Sequence, residues 1–123
     1  MIAAPVPVSA ARVTVVREES GRWQLRRGDR PHAIRGVGGF APLEQAAALG
    51  ANTIRTWSVD QLEVIIDGKN LLDRAQASGL MVVAGLWVLH PRHGHDYRDQ
   101  AVLQRQRDEI RAVVRKHRQH PAL

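Results

Sequence analysis

The run Leu80-Met81-Val82-Val83-Ala84-Gly85-Leu86-Trp87-Val88-Leu89 is apolar throughout except for its glycine, and no other stretch limits the chain as much. A strand with one wet face alternates apolar and polar residues, whereas a strand covered on both faces does not. The run therefore predicts a strand buried on both faces of a parallel sheet. No stretch approaches the roughly 20 apolar residues that span a bilayer, so a membrane span is not expected.

The segments before this run carry the signals of a parallel α/β protein. Arg35-Gly36-Val37-Gly38-Gly39-Phe40 reads as a short strand ending in glycines, where backbone must bend or approach a neighbour closely. Pro42 suits the first turn of a helix, Leu43 to Leu49 is rich in alanine and leucine, and Gly50 is placed as a stop. Ala51 to Thr56 reads as the next strand. A polar link leads to a helix near Lys69 to Ser78, with Leu71, Leu72 and Ala75 on one face and Gly79 as its stop. After the apolar run, a polar loop from His90 to Arg98 leads to a long helix near Asp99 to Arg118. Its Leu103, Ile110, Val113, Val114 and His117 fall on one stripe.

Ahead of these units, Val13 to Val16, Trp23-Gln24-Leu25 and His32-Ala33-Ile34 read as an antiparallel lead-in with a turn at Arg27 to Pro31. Met1 to Ala11 is small and apolar, but it lacks a basic n-region and Pro5 and Pro7 interrupt the run. Residues 1–12 therefore read as an extended or loose lead-in rather than an intact signal peptide, which leaves the compartment open, export included. Residues 13–123 then form one unit, a hairpin followed by about three β/α units with right-handed crossovers.

The chain has no cysteine, which removes disulfides, thiolate metal sites and a cysteine nucleophile. A net charge of +6, carried mostly by arginine, would attract phosphate backbones or acidic surfaces without specifying either. Arg105, Arg107, Arg111, Arg115, Lys116 and Arg118 give the last helix a basic face, partly offset by Asp108 and Glu109. A solvated outer face accounts for that pattern, and nucleic acid is not the expected partner.

In parallel α/β proteins ligands meet the carboxyl ends of the strands. Arg55 closes the second strand of the series, and a guanidinium there can hold a carboxylate or donate to a polar ligand. Trp57 and Trp87 offer apolar walls to flat rings, against the simpler alternative of packing beneath a loop. His90 directly follows the apolar run and could donate to a substrate hydroxyl or carboxylate, or else structure its loop. Asp96 and Tyr97 add an acid and a hydroxyl nearby. The His93-x-His95 pair lacks a further ligand at a suitable later offset, so no metal is expected. Gly36, Gly38 and Gly39 lack the third glycine and the acidic residue of a dinucleotide fingerprint, so no cofactor is expected either.

The Trp23 hairpin, Arg35-Gly36-Val37, Leu49-Gly50-Ala51-Asn52-Thr53-Ile54-Arg55-Thr56-Trp57, Leu71-Leu72-Asp73-Arg74-Ala75, Gly79-Leu80 and His117-Arg118-Gln119-His120-Pro121-Ala122-Leu123 together resemble the start of the catalytic barrel of glycoside hydrolase family 2 and its clan A relatives. The resemblance implies an α/β chain forming the first part of a (β/α)8 TIM barrel. It implies that Arg55 orients the nucleophilic carboxylate and that His90 follows the third strand. It also implies a carbohydrate substrate and retaining hydrolysis of O-glycosidic bonds.

In that family the acid/base Glu follows the fourth strand and the nucleophile Glu follows the seventh. None of Glu18, Glu19, Glu44, Glu63 or Glu109 stands at either position, so no catalytic residue is present and the chain alone is expected to be inactive. A full barrel takes about 250 residues. The 123 residues here would leave both sheet edges unpaired, which predicts self-association as a further expectation. A small basic α/β module binding nucleic acid or an acidic protein is the competing reading.

Overall fold

The computed structural model describes residues 9–40 and 42–123; of the lead-in expected over residues 1–12, residues 1–8 lie outside the described residues and 9–12 are in neither helix nor strand. Among the described residues there are two three-stranded sheets, three α-helices and two short 3-10 segments, Val59–Glu63 and Pro91–His93. The first sheet is antiparallel, with β1 (Val13–Arg17), β2 (Trp23–Arg27) and β3 (Arg30–Pro31) in sequential order. Val13 stands opposite Arg27 and Arg17 opposite Trp23. The return strand is shorter and earlier than expected. Pro31 can lie only where its missing N–H is not needed, on an edge, and from His32 onward the chain turns toward the second sheet.

The second sheet is parallel, with β4 (Gly36–Gly38), β5 (Thr53–Arg55) and β6 (Met81–Val83) in the order β4-β5-β6. Helix α1 (Leu43–Ala48) connects β4 to β5, and α2 (Leu71–Ala77) connects β5 to β6. Both helices end as their glycines dictate. Gly50 and Gly79 adopt φ of 91° and 71°, a left-handed conformation that costs glycine little. Helix α2 begins at Asn70, whose side-chain oxygen accepts from the Asp73 N–H at 2.9 Å.

Strand alternation sends Ile54 and Val82 toward the helices. There they join Leu43, Leu62, Leu71, Leu72, Ala75, Leu80 and Ala122 in the buried core. The opposite face carries Thr53, Arg55, Met81 and Val83. Asn52 fastens this sheet to the segment that follows β3. Its Oδ1 accepts from the Arg35 N–H (2.8 Å) and the Thr53 hydroxyl (2.9 Å), while its Nδ2 donates to the Ala33 carbonyl (2.8 Å). His32 lies 2.9 Å from the same hydroxyl through Nε2. Since that hydroxyl donates to Asn52, the imidazole is the donor.

The expected partial (β/α)8 TIM barrel is not formed. The strands fall into two small sheets, one antiparallel and one parallel, and no section of a barrel wall is present among the described residues. A barrel wall needs strands long enough to tilt and stagger as the sheet closes. Parallel ladders of three residues supply little of either.

The run Leu80 to Leu89 likewise differs from its expected double burial. Only Met81–Val83 is strand, and Leu86, Trp87 and Val88 are exposed. The third helix, α3 (Gln100–His117), is capped by Asp99, whose carboxylate accepts from the Ala101 and Val102 N–H groups. Its expected apolar stripe is only half-covered, and no residue of α3 is fully buried.

Candidate functional site

Beyond the carboxyl ends of β5 and β6 the backbone is held by a dense set of hydrogen bonds. Gly39 N–H donates to the Arg55 carbonyl (3.0 Å), and Thr56 N–H donates to the Val83 carbonyl (3.0 Å). Thr56 is fully buried, and its hydroxyl accepts from Gly85 N–H at 3.0 Å. These bonds carry the three strands one step past their regular pairing.

Two glycines permit the close approach this requires. A Cβ at Gly85 would stand 2.7 Å from the Trp57 carbonyl oxygen and nearer still to that of Thr56, so a hydrogen is all the position admits. Gly39 has φ of 85°, and a Cβ there would meet the Trp57 Nε1 at 2.9 Å. Buried Gln61 completes the support: its Oε1 accepts from Trp57 N–H (2.6 Å), and its Nε2 donates to the Gly39 carbonyl (3.3 Å). Trp57 is thus fixed by its backbone while its ring stays outside the core.

A cleft of about 500 Å³ opens above this frame, a size common for small-ligand sites. Arg55, Trp57, Trp87 and His90, the four residues singled out from the sequence, all line it, together with Arg92 and His93. Trp57 is 57% exposed and Trp87 62%, so neither indole is buried as packing beneath a loop would require.

The Arg55 guanidinium carbon lies 5.2 Å from the Trp57 ring centroid. A cation–π contact at such an exposed site is worth about 0.5–1 kcal/mol. That is enough to bias the guanidinium's position, and it leaves the N–H donors free. Among the described residues no carboxylate pairs with Arg55.

The other rim is built by the loop after β6. His90 precedes a 3-10 turn at Pro91–His93, and its Nδ1 accepts from Arg92 N–H at 3.1 Å. The neutral ring therefore carries its proton on Nε2. His90 both structures its loop and borders the cleft, so the two roles weighed from the sequence coexist. The His93 ring lies parallel to Trp87, with centroids 6.3 Å apart and planes within 4°.

Tyr97 Oη donates to the Leu89 carbonyl and tethers the loop without lining the cleft. Asp96 is spent on Arg98 in a bidentate pair at 3.0–3.2 Å, which holds its carboxyl below the usual range. His95 does not line the cleft, and among the described residues no group of three or more His, Asp or Glu is placed to hold a metal ion.

Family models, curated proteins and solved structures were compared with the chain, and none matches.

Chemically, the cleft offers guanidinium and imidazole N–H donors beside two indole faces, and no Asp or Glu lines it. It can orient and stack a ligand but has no carboxyl pair for acid/base or covalent glycosyl chemistry. Sequence reasoning passed over Gln61, Arg92 and Gly85. A lone glycine inside an apolar strand pattern is a sign of close backbone approach, and Gly85 carried that sign. Gln61 sits in a polar link with no periodicity to mark it.

Proposed function

We propose that the cleft beyond β5 and β6 binds a saccharide, and that the chain serves a glycoside-hydrolase-like activity whose two catalytic carboxyl groups lie outside these 123 residues. The observation that carries this reading is the convergence of Arg55, Trp57, Trp87 and His90 on one cleft at the carboxyl edge of the parallel sheet. Exposed indoles suit the apolar faces of sugar rings, and the arginine and histidine supply donors for hydroxyl oxygens. The resemblance of Gly50 to Trp57 and the surrounding motifs to clan A glycosidases supports the same substrate class.

Retaining glycosidases need two carboxyl groups about 5 Å apart. Since no Asp or Glu lines the cleft, the purified chain should bind oligosaccharides without cleaving aryl glycosides. Titration with a panel of oligosaccharides, read by tryptophan fluorescence, tests this. Quenching that is lost in both Trp57→Ala and Trp87→Ala is the expected result. A panel with no effect on either indole would sink the reading, and turnover by the isolated chain would refute its inactivity.

The exposed arginines of α3 favour a second reading, an acidic polymer held on the helix. Arg105, Arg107 and Arg115 have no ion pair among the described residues. Salt-sensitive binding to mixed-sequence RNA or DNA, abolished by reversing those charges and untouched by Trp57→Ala, would favour it.

A further inference from the structure

The charge of the cleft is one-sided. Arg55 and Arg92 line it, His90 and His93 stand beside them, and none of the lining residues is acidic. Neither guanidinium has an ion-pair partner among the described residues. Of the acids nearest the lining residues in sequence, Asp96 is held by Arg98, and Asp60 does not line the cleft. Neutral sugars offer hydroxyl groups, which are usually met by a mixture of carboxylate acceptors and N–H donors. This cleft supplies cationic donors and no carboxylate acceptor.

A guanidinium matches a planar carboxylate with two parallel N–H bonds, and a geometry of this kind is lost on a neutral hydroxymethyl group. Arg55 is also partly pre-oriented, because the Trp57 ring lies under it at 5.2 Å. A cation held against an indole places an anionic substituent beside the apolar surface on which a ring can rest.

We infer that the saccharide taken by this cleft is acidic, a uronic-acid-containing oligosaccharide whose carboxylate is held by Arg55 and Arg92 while its rings lie against Trp57 and Trp87. This rests on the carbohydrate reading above and narrows it to one class of sugar.

The test is calorimetric titration of the 123-residue chain with trigalacturonate, with its methyl ester, which keeps the shape and removes the charge, and with citrate as a carboxylate that is not a sugar. The acid should bind at least about tenfold more tightly than the ester, a difference near 1.4 kcal/mol. In Arg55→Gln/Arg92→Gln, shown folded by circular dichroism, that preference should shrink to less than about twofold, with ester binding retained. Equal binding of acid and ester by the unaltered chain would overturn the acidic specificity and leave the saccharide site standing. Citrate binding as tightly as trigalacturonate, unaffected by Trp57→Ala and Trp87→Ala, would remove the saccharide reading itself. A preference for the acid that survives the double substitution would overturn the assignment to these two arginines.

Discussion

Helices α2 and α3 make opposite use of their length. With 7 residues, α2 places Leu71, Leu72 and Ala75 in the core, whereas α3 has 18 residues and no fully buried one. Both begin with a side-chain cap, Asn70 in one and Asp99 in the other. The difference lies in what covers them. Most helical stability in proteins comes from burying an apolar face, so the shorter helix should be the stronger element. Helix α3 is held to the rest by a half-covered apolar stripe and by polar contacts. Glu63 receives Lys116 at 2.7 Å and His117 at 3.0 Å, and Gln106 Oε1 accepts from Leu89 N–H at 2.9 Å.

The sharpest way to break this contrast is to truncate one apolar side chain in each helix. Leu72, 1% exposed, should cost about 3 kcal/mol when changed to Ala, read from urea midpoints. Half-buried Val113→Ala on α3 should cost less than about 1 kcal/mol. Comparable costs at the two sites would end the comparison.

Next in size is Gly85→Ala, where the added methyl meets the backbone of Thr56 and Trp57. A loss of about 2 kcal/mol is expected from such overpacking, together with weaker saccharide quenching of Trp87. Unchanged stability would mean that the rim of the cleft yields as freely as α3.

Cap removal sharpens the contrast further. Asn70→Ala should lower global stability by about 1 kcal/mol, because α2 cannot fray without opening the core. Asp99→Ala should leave the urea midpoint nearly unchanged. Its effect should appear as faster amide exchange in the first turn of α3.

The smallest effect is the response of α3 to acid. The hydrogen bond from Lys116, followed by the charges of Lys116 and His117, lowers the Glu63 pKa from its ordinary 4.5. A carboxyl depressed in the folded state adds stability above its ordinary value and loses it as pH falls through the folded value. Protection of the last turns of α3 should therefore decline below about pH 4.5, and Glu63→Gln should remove that decline. His32 responds higher on the scale. Desolvation, then the charges of Arg27 and Arg35, lower its pKa from 6.5, so the neutral ring suits the fold. Its contribution is full above 6.5 and is lost as pH falls from there through the folded value.

Local chemistry was legible wherever one residue decides the outcome. Gly50 and Gly79 marked two helix ends because the chain needs a left-handed residue there. Arg55, Trp57, Trp87 and His90 could be grouped because the carboxyl ends of parallel strands face one side, and the structure does bring them to one cleft.

What misled was the tract Leu80 to Leu89. An apolar run records that residues avoid water in some context, and it does not say how far pairing extends. Pairing stops at Val83, Gly85 crosses against β5's extension, and Leu86 to Val88 turn outward. The partial barrel failed for a related reason, since strand length and sheet closure depend on partners far along the chain. Gln61 stayed hidden because a buried amide that braces two backbones follows no pattern in sequence.

The outward turn after Gly85 has a practical side. It leaves Leu86, Trp87 and Val88 in water as a contiguous apolar strip beside a cationic cleft. Exposed apolar segments of this kind are where chains adhere to one another. The bend that opens the cleft therefore also sets Trp87 where a ligand seated in the cleft would cover part of this strip.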